Sequence, residues 1–221
     1  MSELFFSQLA GSQNALQSRI AGFMFQPGNY IHHSWLEDWM SSKLFSNLRR
    51  ADKARRCVDR IIMRRFDLDH GFEFVFGNAN HRIALLEPEV LRKLVEMTGV
   101  AILGRRLAKL VRKDEVLKYR ERLGEEAYAF AINKAPFLTG SDWEEKGFMS
   151  DDPEVLGLEC LADAMTGCSP AILSRLRLIF PKGDFPDVDE SFDPEETARC
   201  NRLLRKVLLQ EVSPQCAHLF T

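Results

Sequence analysis

The chain has 221 residues, 45% hydrophobic and 28% charged, with a net charge of −2. This balance fits one large globular domain, or a compact domain with a smaller appendage; it argues against a disordered chain, and nothing global points to nucleic acid. Five scattered cysteines, Cys57, Cys160, Cys168, Cys200 and Cys216, form no C-x-x-C pair, which suits free and mostly buried thiols in a reducing compartment.

The opening "MSELFFSQLAGSQNALQSRIAG" lacks a basic region and a continuous apolar core, so it is not read as a secretory signal. No stretch approaches the ~18 to 20 consecutive apolar residues of a membrane helix. A soluble intracellular protein without direct membrane insertion is expected. The first part of the chain is the least regular. In "YIHHSWLED", His33 and Glu37 would share a helical face, a spacing that could begin a zinc site. No H-E-x-x-H or cysteine pair completes it nearby, and interleaved Trp35 and Trp39 favour polar–aromatic packing. "SWLEDWMSSKLFSNL" and "ADKARRCVDRIIMRRF" read as helices, the second with Val58, Ile61, Ile62 and Phe66 inward and a basic edge outward.

In "FDLDHGFEF", Asp67 and Asp69 invite a cation. A calcium loop starting at Asp67 would need an oxygen ligand at position five and Glu at twelve, where Gly71 and Asn78 stand. An aspartyl-phosphate nucleophile would need a buried apolar strand before it, where an Arg-rich helix stands instead. A turn is the expectation. "FEFVFG", Phe72–Gly77, reads as a short strand, and "HRIALL" as a hairpin partner across "NAN".

Pro88 opens a helix carrying Leu91, Leu94, Val95 and Thr98, and Gly99 is expected to stop it. A basic amphipathic helix is expected from Val100 to Lys113, with Leu103, Leu107, Leu110 and Val111 against Arg105, Arg106, Lys109 and Arg112. Asp114 is a candidate N-cap and Gly124 a stop; "EEAYAFAINKA" is a further helix halted by Pro136. Pro153 opens "PEVLGLECLADAMTG", which Gly167 stops, and Ser169-Pro170 caps "AILSRLRLIF". An acidic loop over 181–193 leads to Asp193-Pro194-Glu195-Glu196, a strong start for a helix that packs Leu203, Leu204, Val207 and Leu208. Ser213-Pro214 caps one last turn. The fold expected is mainly α: a multi-helix globular domain with at most one short β-hairpin near residues 72–86. It is read as a single domain over 1–221, subdivided if at all into 1–86 and 87–221.

In that last turn Cys216 and His218 suggest a thiolate and its base. With one residue between them on a helical turn, their side chains diverge by ~200°, and no third group positions the base. No nucleophile elbow, phosphate-binding glycine loop or dinucleotide fingerprint occurs elsewhere. The chain is not read as an enzyme, and no catalytic, cofactor-binding or metal-ligating residue is assigned.

Charge supplies the remaining signal. Residues 49–65 carry +6 and residues 105–122 carry +5, while residues 141–196 carry −11. Such polarity favours oriented docking between proteins. Arg49, Arg50, Arg55, Arg56, Arg105, Arg106, Lys109 and Arg112 are the expected partner-binding residues. The alternative is a helical nucleic-acid-binding protein using the Arg-rich segment 49–65, although no helix-turn-helix or aromatic stacking motif accompanies it.

The tail "RKVLLQEVSPQCAHLF" resembles the close of the type III secretion sorting-platform adaptor family (the YscK, SctK, MxiK and OrgA group), through Pro214, Cys216, His218, Leu219 and Phe220. "FMFQPGNYIHHSWL" resembles the family's F-x-P-x-x-Y-x-H pattern through Phe25, Pro27, Tyr30, His32 and Leu36, and "LRKLVEMTGVAILGRRLAKLVRKDEV" has its Leu-rich, basic-edged character. The resemblance implies a non-enzymatic cytoplasmic adaptor, peripheral at the cytoplasmic face of the bacterial inner membrane. Such adaptors link the forkhead-associated-like cytoplasmic domain of an inner-membrane ring protein to the pod protein of the platform. Through the pod they reach the ATPase regulator and ATPase indirectly, in support of effector secretion. The resemblance implies no cofactor and no nucleic acid.

Overall fold

The computed structural model describes residues 3–140, 150–188 and 193–220, with side chains from residue 14 onward. The chain is mainly α, and no strand occurs among the described residues. It forms two compact units, each discontinuous in sequence: residues 1–88, 167–185 and 217–221, and residues 89–166 and 186–216.

The first unit begins with α1, Glu3–Phe25, which sequence periodicity did not announce. Ile20, Phe23 and Met24 bury its C-terminal end. Two 3-10 turns, Pro27–Asn29 and His33–Trp35, lead to α2, Ser42–Arg50, and α3, Asp52–Arg65. Ser41 caps α2, its hydroxyl accepting from the Leu44 N–H at 3.3 Å. On α3, Val58 and Ile62 are buried as expected, but Ile61 is 48% exposed. At about 100° per residue, Ile61 lies at the edge of the Val58–Ile62 stripe, and the narrow burial of α3 leaves it outside.

The expected strand does not form. Residues 71–77 lack regular structure, and "HRIALL" falls largely within a 3-10 helix, Ala79–Leu85, capped by Asn78. The reason lies in burial. Phe76 is buried, but Phe72, Phe74 and Val75 stay exposed, so the alternation does not seat one whole face against the core. The acidic turn before it turns at Asp67, whose φ is +55°. α9, Pro170–Arg177, completes this unit with the end of the chain, where the Arg82 guanidinium donates to the Leu219 carbonyl at 2.9 Å.

The second unit is built around α4, Pro88–Leu107. Gly99 does not stop this helix; it lets another backbone approach. A Cβ at Gly99 would lie 1.6 Å from the Pro153 carbonyl oxygen, and one at Gly157 would lie 2.0 Å from that of Val95. The two glycines therefore serve one crossing, between α4 and α8, Pro153–Ala164. Gly104 does the same for Ala131, whose carbonyl oxygen would meet an added Cβ at 2.4 Å.

α4 also ends earlier than the basic pattern suggests. Beyond Leu107 the N–H groups of Lys109 and Leu110 bond three residues back, and Val111 is 95% exposed. α5 then runs Lys113–Leu123 with Arg112, rather than Asp114, at its N-cap, and Gly124 ends it at φ +80°. α6, Glu125–Asn133, and α7, Ala135–Thr139, follow, with Pro136 in the first turn of α7. α10, Pro194–Val207, starts as read: Asp193 accepts from the N–H groups of Glu195 and Glu196 at 3.0 and 3.3 Å. Asn201 fastens it to α8 by donating to the Ala164 carbonyl at 3.2 Å. A short π-helical turn, Leu208–Val212, and a 3-10 helix, Pro214–Leu219, complete the tail. Part of the acidic loop expected over 181–193, residues 189–192, lies outside the described residues.

Candidate interaction surface

The expected binding residues fall into two sets, one on each unit. Arg49 and Arg50 stand at the end of α2, where cations complement the helix dipole. Arg49 donates to Asn29 Oδ1 at 3.4 Å and lies 5.6 Å from the Phe45 ring centre. On α3, Arg56 and Arg60 are exposed, and Arg55 pairs with Asp52 at 3.3 Å. In the second unit, Arg105 and Arg106 end α4 half-buried, while Lys109 and Arg112 lie in the link to α5. Arg106 is already engaged: it donates to the Ser150 carbonyl at 2.9 Å and to Asp151 at 3.2 Å.

Between the arginines of α3 sits Asp59, 5% exposed, accepting the Gly28 N–H at 2.8 Å. Burial pushes its carboxyl above the ordinary range, against the pull of that hydrogen bond and of Arg55 and Arg49. A Cβ at Gly28 would sit 2.7 Å from the Asp59 oxygen and force that carboxylate to shift. Phe25, Gln26, Met63, Asp59, Arg55, Arg56 and Arg60 line an open groove of about 410 Å³.

Phe25 also belongs to an aromatic cluster. Its ring centre lies 5.1 Å from that of Phe72 and 5.8 Å from that of Phe74, while the Phe72 and Phe74 rings stack at 6.1 Å. All three are exposed, at 43%, 40% and 53%, and Val75 beside them is 77% exposed. Under the cluster is Arg175, 1% exposed, with its guanidinium 5.3 Å from the Phe72 ring centre. Arg175 donates to three backbone carbonyls: Leu68 at 2.8 Å, Ala171 at 2.9 Å and Met24 at 3.2 Å. One buried cation thus ties together the end of α1, the chain after α3, and α9. Burial lowers its pKa, and Tyr30 opposes that shift.

Sequence reading missed both groups. The signal available was the pair Phe72 and Phe74 in "FEFVFG", left uncovered while Phe76 is buried.

The tryptophan segment holds together by polar–aromatic packing. Trp35 Nε1 donates to the Phe180 carbonyl at 2.8 Å, and His33 and Glu37 form an exposed pair at 3.5 Å. Of the F-x-P-x-x-Y-x-H residues, Phe25 belongs to the exposed cluster, while the others hold the fold together. Tyr30 is buried and donates to the Phe23 carbonyl at 2.8 Å, burial pushing its phenol well up; the His32 N–H donates to the Leu178 carbonyl at 2.7 Å. Leu36 is buried. Asp67, Asp69 and His70 gather on the exposed turn, and Asp163, Glu196 and Cys200 gather between α8 and α10.

In the tail, Cys216 is buried with its sulfur 3.3 Å from Ser213 Oγ, while His218 is exposed. Leu219 and Phe220 are buried. Of the other thiols, only Cys57 on α3 is exposed, and burial pushes that of Cys168 up to about 12.

Residues 20–221 match the family model YscK, described as YOP proteins translocation protein K. No curated protein and no solved structure matches the chain.

Proposed function

Because the chain belongs to the YscK family of type III secretion proteins, we propose that it is a non-enzymatic adaptor of the secretion sorting platform. In this reading it links the forkhead-associated-like cytoplasmic domain of the inner-membrane ring protein to the platform's pod protein, and through the pod to the ATPase regulator and ATPase. It works at the cytoplasmic face of the inner membrane. The observation that carries the reading is the family match over residues 20–221.

Two further features support it. Each compact unit offers basic side chains at a helix end or link, and opposite charge steers protein association without fixing much of its affinity. Among the described residues no helix is long and apolar enough to cross a membrane, so a link to the ring would run through protein contact.

Co-purification of the full chain with the ring protein's cytoplasmic domain and with the pod protein tests the reading. Both should be retained, together, on the wild-type chain. Reversing Arg49, Arg50 and Arg56 to Glu should weaken one partner, and reversing Lys109 and Arg112 should weaken the other. Retention of neither partner, or a gel shift with duplex or single-stranded nucleic acid that steepens with the arginine count, would overturn it.

A further inference from the structure

We propose that the Phe25–Phe72–Phe74 cluster and the arginine groove beside it form one docking site, whose occupant is an acidic protein segment carrying a bulky apolar side chain. The inference deepens the adaptor reading and rests on it.

The cluster is an exposed apolar patch of the kind that soluble chains rarely leave uncovered. Three phenylalanine rings meet solvent together rather than singly, and Val75, next to Phe74 in the chain, is exposed as well. They are also held in place before any partner arrives. Phe25 closes α1, whose Met24 carbonyl is fixed by Arg175, and the same guanidinium lies against Phe72. The Glu73 carboxylate accepts the Val75 N–H at 2.9 Å, which sets the path between the rings and Val75. A preorganised aromatic anchor loses little freedom on binding, and that separates a hot spot from an incidental greasy surface.

Charge selects the occupant. Phe25 lines both the cluster and the groove of about 410 Å³, so an anchor side chain and its flanking residues would meet three arginines at once. Arg55 is shared with Asp52, but among the described residues no carboxylate pairs with Arg56 or Arg60. Asp59, which also lines the groove, is committed to the Gly28 N–H. Carboxylates of an incoming segment are the complementary groups for the two open guanidiniums.

The test uses the full chain, the ring protein's cytoplasmic domain and the pod protein, with affinities taken by titration at several salt concentrations. Phe74→Ser with Val75→Ser alters only exposed side chains in an irregular segment and should leave the melting temperature unchanged. It should weaken one of the two partners by at least roughly tenfold and leave the other alone. Arg56→Glu with Arg60→Glu should weaken the same partner and flatten its salt dependence.

If the wild-type chain retains neither partner, the adaptor reading falls and this site with it. If both partners bind both variants as they bind wild type, the docking site is wrong and the adaptor reading stands. A wild-type dimer in sedimentation that Phe74→Ser with Val75→Ser breaks, with partner binding intact, would assign the patch to a second copy of the chain. Binding to phosphatidylserine vesicles or to a single-stranded oligonucleotide, lost in that variant while partner binding persists, would likewise overturn it.

Discussion

α3 and α4 both interleave apolar and basic residues, yet they bury very different shares of themselves. α3 hides Val58, Asp59 and Ile62 out of fourteen residues, whereas α4 hides eleven of twenty, including Gly99 and Gly104. A helix that other backbones approach at glycines has no side-chain layer left to offer a partner there. A helix that buries one narrow stripe keeps its arginines and its groove for contacts outside the chain. Similar local composition therefore leads to a packing element in one unit and a surface element in the other.

The sharpest way to break this contrast is at the crossing. Gly99→Val places a branched side chain where a Cβ would already lie 1.6 Å from the Pro153 oxygen. Because the obstacle is backbone, the cost should exceed the ~1–3 kcal/mol typical of over-packing, and the cooperative melt should be lost or sharply lowered. A variant that melts within a few degrees of wild type would disprove the close approach.

Next in size is Arg175→Met, which fills much of the volume but leaves three carbonyls without their charged donor. The expected loss is about 3 kcal/mol, since hydrogen bonds from charged groups are the strong ones. Denaturant titration reads it directly.

Asp59 gives a smaller effect with a pH signature. Asp59→Ala leaves the Gly28 N–H buried without an acceptor and should cost about 1–3 kcal/mol. Asp59→Asn keeps an acceptor and removes the charge. Burial raises the folded carboxyl above its unfolded value, so its contribution is fully present below the ordinary carboxylate range and is lost as pH rises through the raised folded value. The Asn variant should therefore show a flatter stability profile across that window and compare best with wild type at neutral pH.

Smallest of all, Arg50→Glu should change stability by no more than about 0.5 kcal/mol, because Arg50 is exposed at the end of α2. The same reversal at Arg106 removes its bonds to Ser150 and Asp151 and should cost up to about 1 kcal/mol. Thermal melts of the two variants side by side would show whether the two basic sets differ as described.

Much of the helical framework was legible because its signals are local. Asp193-Pro194 starts α10, Pro153 starts α8, and Gly124 ends α5, each through backbone geometry set within a few residues. What escaped depends on residues far away in the chain. Gly99 carries the mark of a helix stop, and only the arrival of Pro153 makes it a packing glycine. "FEFVFG" alternates like a strand, but no partner edge meets it among the described residues, and Phe72 and Phe74 gather with Phe25 instead. Arg175 drew no notice within "AILSRLRLIF", and its buried role rests on three carbonyls contributed by separate segments. Of the interaction surface, the basic edge was visible as composition; the groove and the aromatic cluster required the third dimension.

One cysteine turns this arrangement into an instrument. Cys57 is the single exposed thiol, and it sits on α3 directly after Arg56. Maleimide chemistry on the unmodified sequence should therefore place a fluorophore beside the arginine groove while the four buried thiols stay untouched. Partner capture could then be followed as an emission change in real time, without introducing a reporter residue.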